Sequence, residues 1–372
     1  MKTLAFALAL TFAAAPASAQ FGRISGLVDK AEKVKKISDI KISEAEERQI
    51  GEEVSAKIID EFGVFQDAKV ARYVSLVGGV LAQSSTRPNL AWEFIVLDTE
   101  GVNAFAAPGG IIHVTKGLLG LMKNEAELAG VLGHEIIHVA EKHTVNAIQK
   151  SSVVQVGSDE VGSSGGIARS LVTKLAEAAY SNILNNKFDR GDENEADEKG
   201  IELANKVGYA PSGLTSALTK LMERNAGRQE PSGLFASHPQ MKDRLSNIDR
   251  TIRQKKLAAT ATVQPRYAAA IAFEATPITD VATVAEGSRG LAGGEGGKKE
   301  GEAAKKEEKK SGGLLSRLNP SGGKQAQNQQ TVASAGARGV NPDRDAVGGP
   351  NKTKVNVAIG PADLAEFKKG IA

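Results

Sequence analysis

Cysteine is absent from this 372-residue chain. Its absence excludes a disulfide-held scaffold, a thiolate metal site, a cysteine nucleophile and lipid attachment through cysteine. Charge of one sign is not in excess. Lysine and arginine number 47 against 44 aspartate and glutamate, and a net charge of +3 is too mild to argue for a nucleic-acid partner. Beyond the N-terminal region no run reaches about 18 uninterrupted apolar residues, the length a membrane span calls for. The best stretch, Val70 to Ala82, is short and carries Arg72, so no transmembrane span is expected. Aromatic residues are sparse at 4%, and there are only five histidines, so where those five fall decides the reading.

The N-terminus supplies the first positive signal. Met1-Lys2-Thr3 is a short basic start, Leu4 to Ala15 an apolar run, and Pro16-Ala17-Ser18-Ala19 an A-x-A cleavage site ahead of Gln20. Residues 1–19 are therefore expected to be a cleavable signal peptide, with an N-terminal segment over 20–42, and the product to be exported, in a bacterium to the periplasm. The length allows one large or two ordinary domains. Helical spacing of apolar residues predicts helices over Ser43–Phe62, Asp67–Gln83, Ala168–Leu184, Asn194–Val207 and Ser212–Arg224, and a longer one after Asn124. Trp92–Leu97 and Ile111–Thr115 read as strands, the second following the Pro108-Gly109-Gly110 turn. Residues 43–260 are expected to hold the folded domain. From 261 to 372 the composition turns to glycine, lysine, glutamate, asparagine and glutamine, which reads as a low-complexity, mostly disordered tail with a short element near its end.

Two of the five histidines stand in Gly133-His134-Glu135-Ile136-Ile137-His138, an H-E-x-x-H motif within an apolar helical pattern. Positions four apart on a helix are rotated by about 40° and displaced by about 6 Å. His134 and His138 then face one side and together can bind one zinc ion, with Glu135 beside them to take a proton from an attacking water. A catalytic zinc site needs a third protein ligand and one open position. The motif that supplies a third histidine from the same segment requires glycine at 141 and histidine at 144, where this chain has Glu141 and Thr144. A carboxylate from Asp192-Glu193-Asn194-Glu195-Ala196-Asp197 is the alternative. Glu193 and Asp197 share a helical face, one suited to the metal and the other to a ligand imidazole. Spacing alone holds Glu193 over Glu195 only weakly.

Several motifs in order now point to a known group. Phe188-x-Arg190-x-x-Glu193-Asn194-Glu195-Ala196-Asp197 follows the G-H-E-x-x-H segment. Asn103 to Leu119 precedes it, and Val207-Gly208-Tyr209-Ala210-Pro211 and Ser237-His238-Pro239 with Arg244 come after. Over about 43–250 the chain resembles the HtpX/BepA/LoiP group of zinc metallopeptidases, relatives of the CAAX prenyl protease. The resemblance implies an α+β fold: a mostly helical zincin metallopeptidase domain with a small sheet. It implies one Zn2+ per chain on His134, His138 and Glu193, Glu135 as general base and acid, and Asp197 behind a ligand histidine. It also implies His238 as an oxyanion stabiliser or a latency ligand, and a sheet edge over Asn103, Ala104, Phe105 and Ala106 that receives the substrate backbone. Arg244 is expected to contact substrate or to pair with a carboxylate. His113 and His143 are read as packing or supporting residues, and Tyr209 as structural.

The function these expectations describe is a periplasmic zinc-dependent metalloendopeptidase acting on unfolded or misassembled envelope proteins. A peripheral association with the outer membrane or its assembly machinery goes with it, and no nucleic acid. The competing reading is a chaperone-like module that binds client strands while its zinc site stays latent.

Overall fold

The computed structural model describes residues 40–150, 156, 160–161, 166–185, 188–226, 241–278, 284–285, 331–332 and 350–371. The expected signal peptide, most of the serine- and glycine-rich stretch 153–166, and the segment 227–240 that contains His238 lie outside the described residues.

Helix α1 (Glu44–Phe62) starts where the sequence provides a capping box. The Ser43 hydroxyl accepts from the Glu46 amide, and the Glu46 carboxylate accepts from the Ser43 amide at 2.8 Å. In α2 (Ala68–Ala82) the Asp67 carboxylate caps the amides of Lys69 and Val70. Three short strands follow: β1 (Glu93–Leu97), β2 (Ala104–Ala107) and β3 (Ile111–Thr115). They lie in the order β1-β3-β2, with β1 parallel and β2 antiparallel to β3, Phe105 opposite His113. The turn from β2 to β3 needs its two glycines, since Gly109 and Gly110 have φ of 72° and 99°.

The strands alternate between two cores, as their period of two requires. Phe94, Val96, Ala104, Ala106, Ile112 and Val114 face one core, and Ile95, Leu97, Phe105, Ala107 and Ile111 the other. Helix α1 packs in the second core with α6 (Arg169–Asn185) and with part of α5 (His143–Lys150). The first core is built on α2, on α4 (Glu125–Ala140), which follows the short α3 (Lys116–Leu121), and on α7 (Arg190–Val207) and α8 (Ser212–Arg224).

Helix α4 is the centre of the molecule. Asn124 caps it by accepting from the Glu127 amide at 3.0 Å, and every residue from Glu125 to Ala140 is buried. A helix buried on all sides is one that the rest of the fold surrounds, and its charged and imidazole side chains must find partners inside. The fold is thus α+β, mostly helical with a small sheet. Helix α7 begins a turn earlier than the apolar spacing suggests, because Asp189 accepts from the Asp192 amide at 2.9 Å and caps the helix ahead of Arg190.

After α9 (Met241–Gln254), α10 (Gln264–Ala270) packs against α2 and α4. The last described segment returns to the domain: α11 (Pro361–Lys369) lies on α2, and the Asn351 carbonyl accepts from the Val64 amide at 2.7 Å. The two described ends of the expected tail are thus attached to the domain. Among the described residues no helix is long and apolar enough to cross a membrane.

Candidate metal centre

The site forms where α4 and α7 touch, and two glycines set how closely they do. A Cβ on Gly133 would stand 2.9 Å from the Gly200 carbonyl oxygen, and a Cβ on Gly200 would stand 2.9 Å from the His134 amide nitrogen. With hydrogen at both positions the backbones meet directly, and the carboxylates of α7 reach the imidazoles of α4.

His134 and His138 are both buried, with their Nε2 atoms 3.0 Å apart. The Glu193 carboxylate faces them, one oxygen 3.8 Å from His134 Nε2 and the other 3.5 Å from His138 Nε2. All three ligand atoms lie within 4.8 Å of one another, and among the described residues this trio is the group of histidine and carboxylate side chains able to hold a metal ion. Glu135 is buried on the same helix, between the two histidines.

Behind this trio each imidazole has its own partner. Asp197 Oδ1 lies 2.9 Å from His134 Nδ1. Burial pushes the Asp197 carboxyl up, but the Arg244 guanidinium and then His134 outweigh that and bring it to about 2. Arg244 is itself buried, and its fork donates to both Asp197 oxygens at 2.8 and 2.7 Å, with a third nitrogen 3.2 Å from Glu193. Burial opposes the charge on Arg244, while Asp197, Glu193 and Glu135 favour it more strongly. Three carboxylates thus act on one guanidinium, and a divalent cation on the histidines would balance the formal charge. The Phe188 ring lies against His138, 4.2 Å between centroids, and forms an apolar wall.

His134, Glu135, His138, Glu193 and Asp197 therefore come together as the sequence suggests. Arg244 joins them by pairing with carboxylates, one of the two expected uses. Asn103, Ala104, Phe105 and Ala106 run into β2, an outer strand of the sheet that touches α1, α4 and α6, and all four are buried. His238 lies outside the described residues. Tyr209 is buried and donates to Glu125 at the start of α4, a structural place.

The structure gives a place behind the trio to two residues weighed above, His143 as a supporting residue and Glu195 as the alternative to Glu193. His143 Nδ1 stands 2.9 Å from His138 Nδ1, and His143 Nε2 stands 3.3 Å from Glu195. Helical spacing conceals this contact, since a residue five places on in an unbroken helix points about 140° away. The helix does break here: Glu141 caps α4, Lys142 takes φ +60°, and His143 opens α5, folded back onto His138.

Residues 68–252 match peptidase family M48. Among curated proteins, the β-barrel assembly-enhancing protease of Yersinia pestis is 28% identical over 212 residues, 53% of this chain and 42% of its own length. Metalloprotease YcaL of Escherichia coli K12 is 34% identical over 154 residues, 40% of this chain and 58% of its own length. Metalloprotease LoiP of the same strain is 33% identical over 151 residues, 40% of this chain and 57% of its own length. The chain spans about half the length of the curated relatives it matches. The matched region contains α4, α7 and Arg244, and so the whole metal centre described above. The chain carries a peptidase family M48 domain, and its buried cluster of His134, His138 and Glu193 is placed inside that domain.

Proposed function

We propose that the protein is a zinc-dependent metalloendopeptidase of the periplasm that hydrolyses peptide bonds in unfolded or misassembled envelope proteins. The observation that carries this reading is the convergence of His134 Nε2, His138 Nε2 and the Glu193 carboxylate, with edges of 3.0, 3.5 and 3.8 Å. Four ligands held tetrahedrally at 2.0–2.1 Å from zinc stand about 3.3 Å apart, so the trio fits that ion with one position left open. Two nitrogens and a carboxylate are also the donor set of catalytic zinc peptidases. The relatives' names, two metalloproteases and one β-barrel assembly-enhancing protease, support both the reaction and an envelope substrate.

When bound, zinc supplies Lewis acidity toward a water and the scissile carbonyl. The chain's own residues do the rest. Glu135 takes the proton of the attacking water and returns it to the leaving amine, as general base and then general acid. Asp197 accepts from His134 Nδ1, which leaves the Nε2 lone pair free for the metal, and Arg244 holds Asp197 and Glu193 in register. Phe188 and the packed α4 keep bulk water from the imidazoles. The substrate backbone adds to the sheet at β2, over Asn103–Ala106. These residues are buried, so a peptide strand reaches the β2 edge only when the neighbouring residues part.

Incubating the zinc-loaded chain with a permanently unfolded polypeptide, beside Glu135→Gln, tests the proposal. The parent is expected to cut and the variant to bind zinc with cleavage reduced at least a hundredfold. Equal cutting by both would remove Glu135 from the chemistry. The burial of β2 favours one second reading, a client-binding module with a closed site. That reading gains if neither protein cuts although both retain zinc and the unfolded chain.

A further inference from the structure

We infer that His143, oriented by Glu195, is a positioning residue for the metal: it accepts the Nδ1 proton of His138 and so points the Nε2 lone pair of His138 into the site. The inference rests on the metal-centre reading above and deepens it.

The argument is one of proton placement. A neutral imidazole carries one proton, and a ring that binds metal through Nε2 must carry it on Nδ1. His138 Nδ1 stands 2.9 Å from His143 Nδ1, both rings buried, so one of these nitrogens donates and the other accepts. With His138 on the metal, the donor is His138 and the acceptor is His143 Nδ1. The His143 proton must then sit on Nε2, and that nitrogen faces carboxylates: Glu195 Oε2 at 3.3 Å and Asp192 Oδ1 at 3.9 Å. A carboxylate accepts and cannot donate when ionised, so α7 fixes the tautomer of His143, and His143 in turn fixes that of His138.

Glu195 is held for this task from its other side. Lys199 lies 2.6 Å from Glu195 and 2.9 Å from Glu141, the residue that ends α4 just before the turn to His143. The Lys199 ammonium thus donates to one Glu195 oxygen while the other faces His143 Nε2 as an acceptor. Lys142, in its left-handed conformation, is tied to buried Glu47 of α1 at 3.0 Å, which fixes the turn that swings His143 back. Each ligand histidine therefore has a separate carboxylate-anchored partner on α7, Asp197 for His134 and Glu195 through His143 for His138. This explains why α7 presents two carboxylates to α4 on one face and Glu195 about 200° around the helix from Glu193.

The test measures zinc affinity of the full chain by competition with a chromophoric chelator, independently of activity. His143→Leu removes the acceptor and is expected to raise the zinc dissociation constant about 10- to 100-fold. His143→Asn, whose amide oxygen can take the place of Nδ1, is expected to stay within about threefold of the parent, a rescue that a packing role would not produce. Nitrogen-15 spectra of the zinc-loaded parent add a readout that needs no variant. They should show the proton on Nδ1 of His138 and on Nε2 of His143. A His143→Leu protein binding zinc as tightly as the parent, or a proton on Nδ1 of His143, would overturn the inference while leaving the metal centre intact. A parent that binds no zinc would overturn the metal reading and this inference with it.

Discussion

His113 occupies β3 fully buried, 2.9 Å from the Ser55 hydroxyl of α1, and desolvation by burial lowers its pKa to about 3. An unfolded chain protonates the same ring near 6.5. Between those values the unfolded state binds more protons than the native one, so stability contributed by neutral His113 is lost as pH falls from about 6.5 toward 3. In melts of the metal-free chain, the difference between parent and His113→Leu should therefore shrink steadily with acidification; parallel curves would contradict this. The contrast with His134 and His138 shows what single residues disclose in advance. Those two were legible because four-residue spacing on a helix already implies one face. Glu193 and Glu195 could not be separated by spacing, since each needs a partner on another element to define its role. The contact of His143, read as a packing or supporting residue, with His138 was hidden by a break in the helix that only the backbone at Lys142 reveals.

At the scale of elements, the helical spacing of apolar residues announced α1, α2 and α4, and the runs on either side of the Pro108-Gly109-Gly110 turn announced β1 and β3. The sheet order and the glycine contact of α4 with α7 were not legible, because a glycine inside a helical pattern does not name what approaches it. That contact makes a sharp prediction. Gly200→Ala places a Cβ 2.9 Å from the His134 amide nitrogen and against backbone, which cannot rotate away. Overpacking of this kind costs about 1–3 kcal/mol. The variant should melt lower than the parent and, because the helices must part, lose zinc affinity as well. A variant with parental melting temperature and zinc affinity would show that the helix contact does not set the ligand geometry. The same logic applies on the other flank of α4, where a Cβ on Gly130 would stand 2.6 Å from the Leu214 amide nitrogen.

For the whole molecule, the feature that composition could not disclose is the return of the chain to its own domain. Arg266 of α10 donates to Glu125 at the first turn of α4 and stacks on the Phe367 ring of α11, 3.9 Å from its centroid. Arg72 of α2 donates to Asp363 at 2.7 Å. The terminal segment is thereby fastened to the helix that carries His134 and His138, and Lys354 reaches Glu93 on β1 at the outer edge of the sheet. The site's ligands come from α4 and from α7, far apart in sequence, and only the folded molecule brings them together. A ligand that binds the native state and not the unfolded one raises stability in proportion to the logarithm of its concentration over its dissociation constant. The most direct test is a calorimetric zinc titration of the full chain with a melt of each end point, repeated on Glu193→Ala. The account predicts one zinc per chain and a higher melting temperature for the parent, with both effects largely lost in the variant. A parent that takes up no zinc, or a Glu193→Ala protein that binds and is stabilised like the parent, would contradict it.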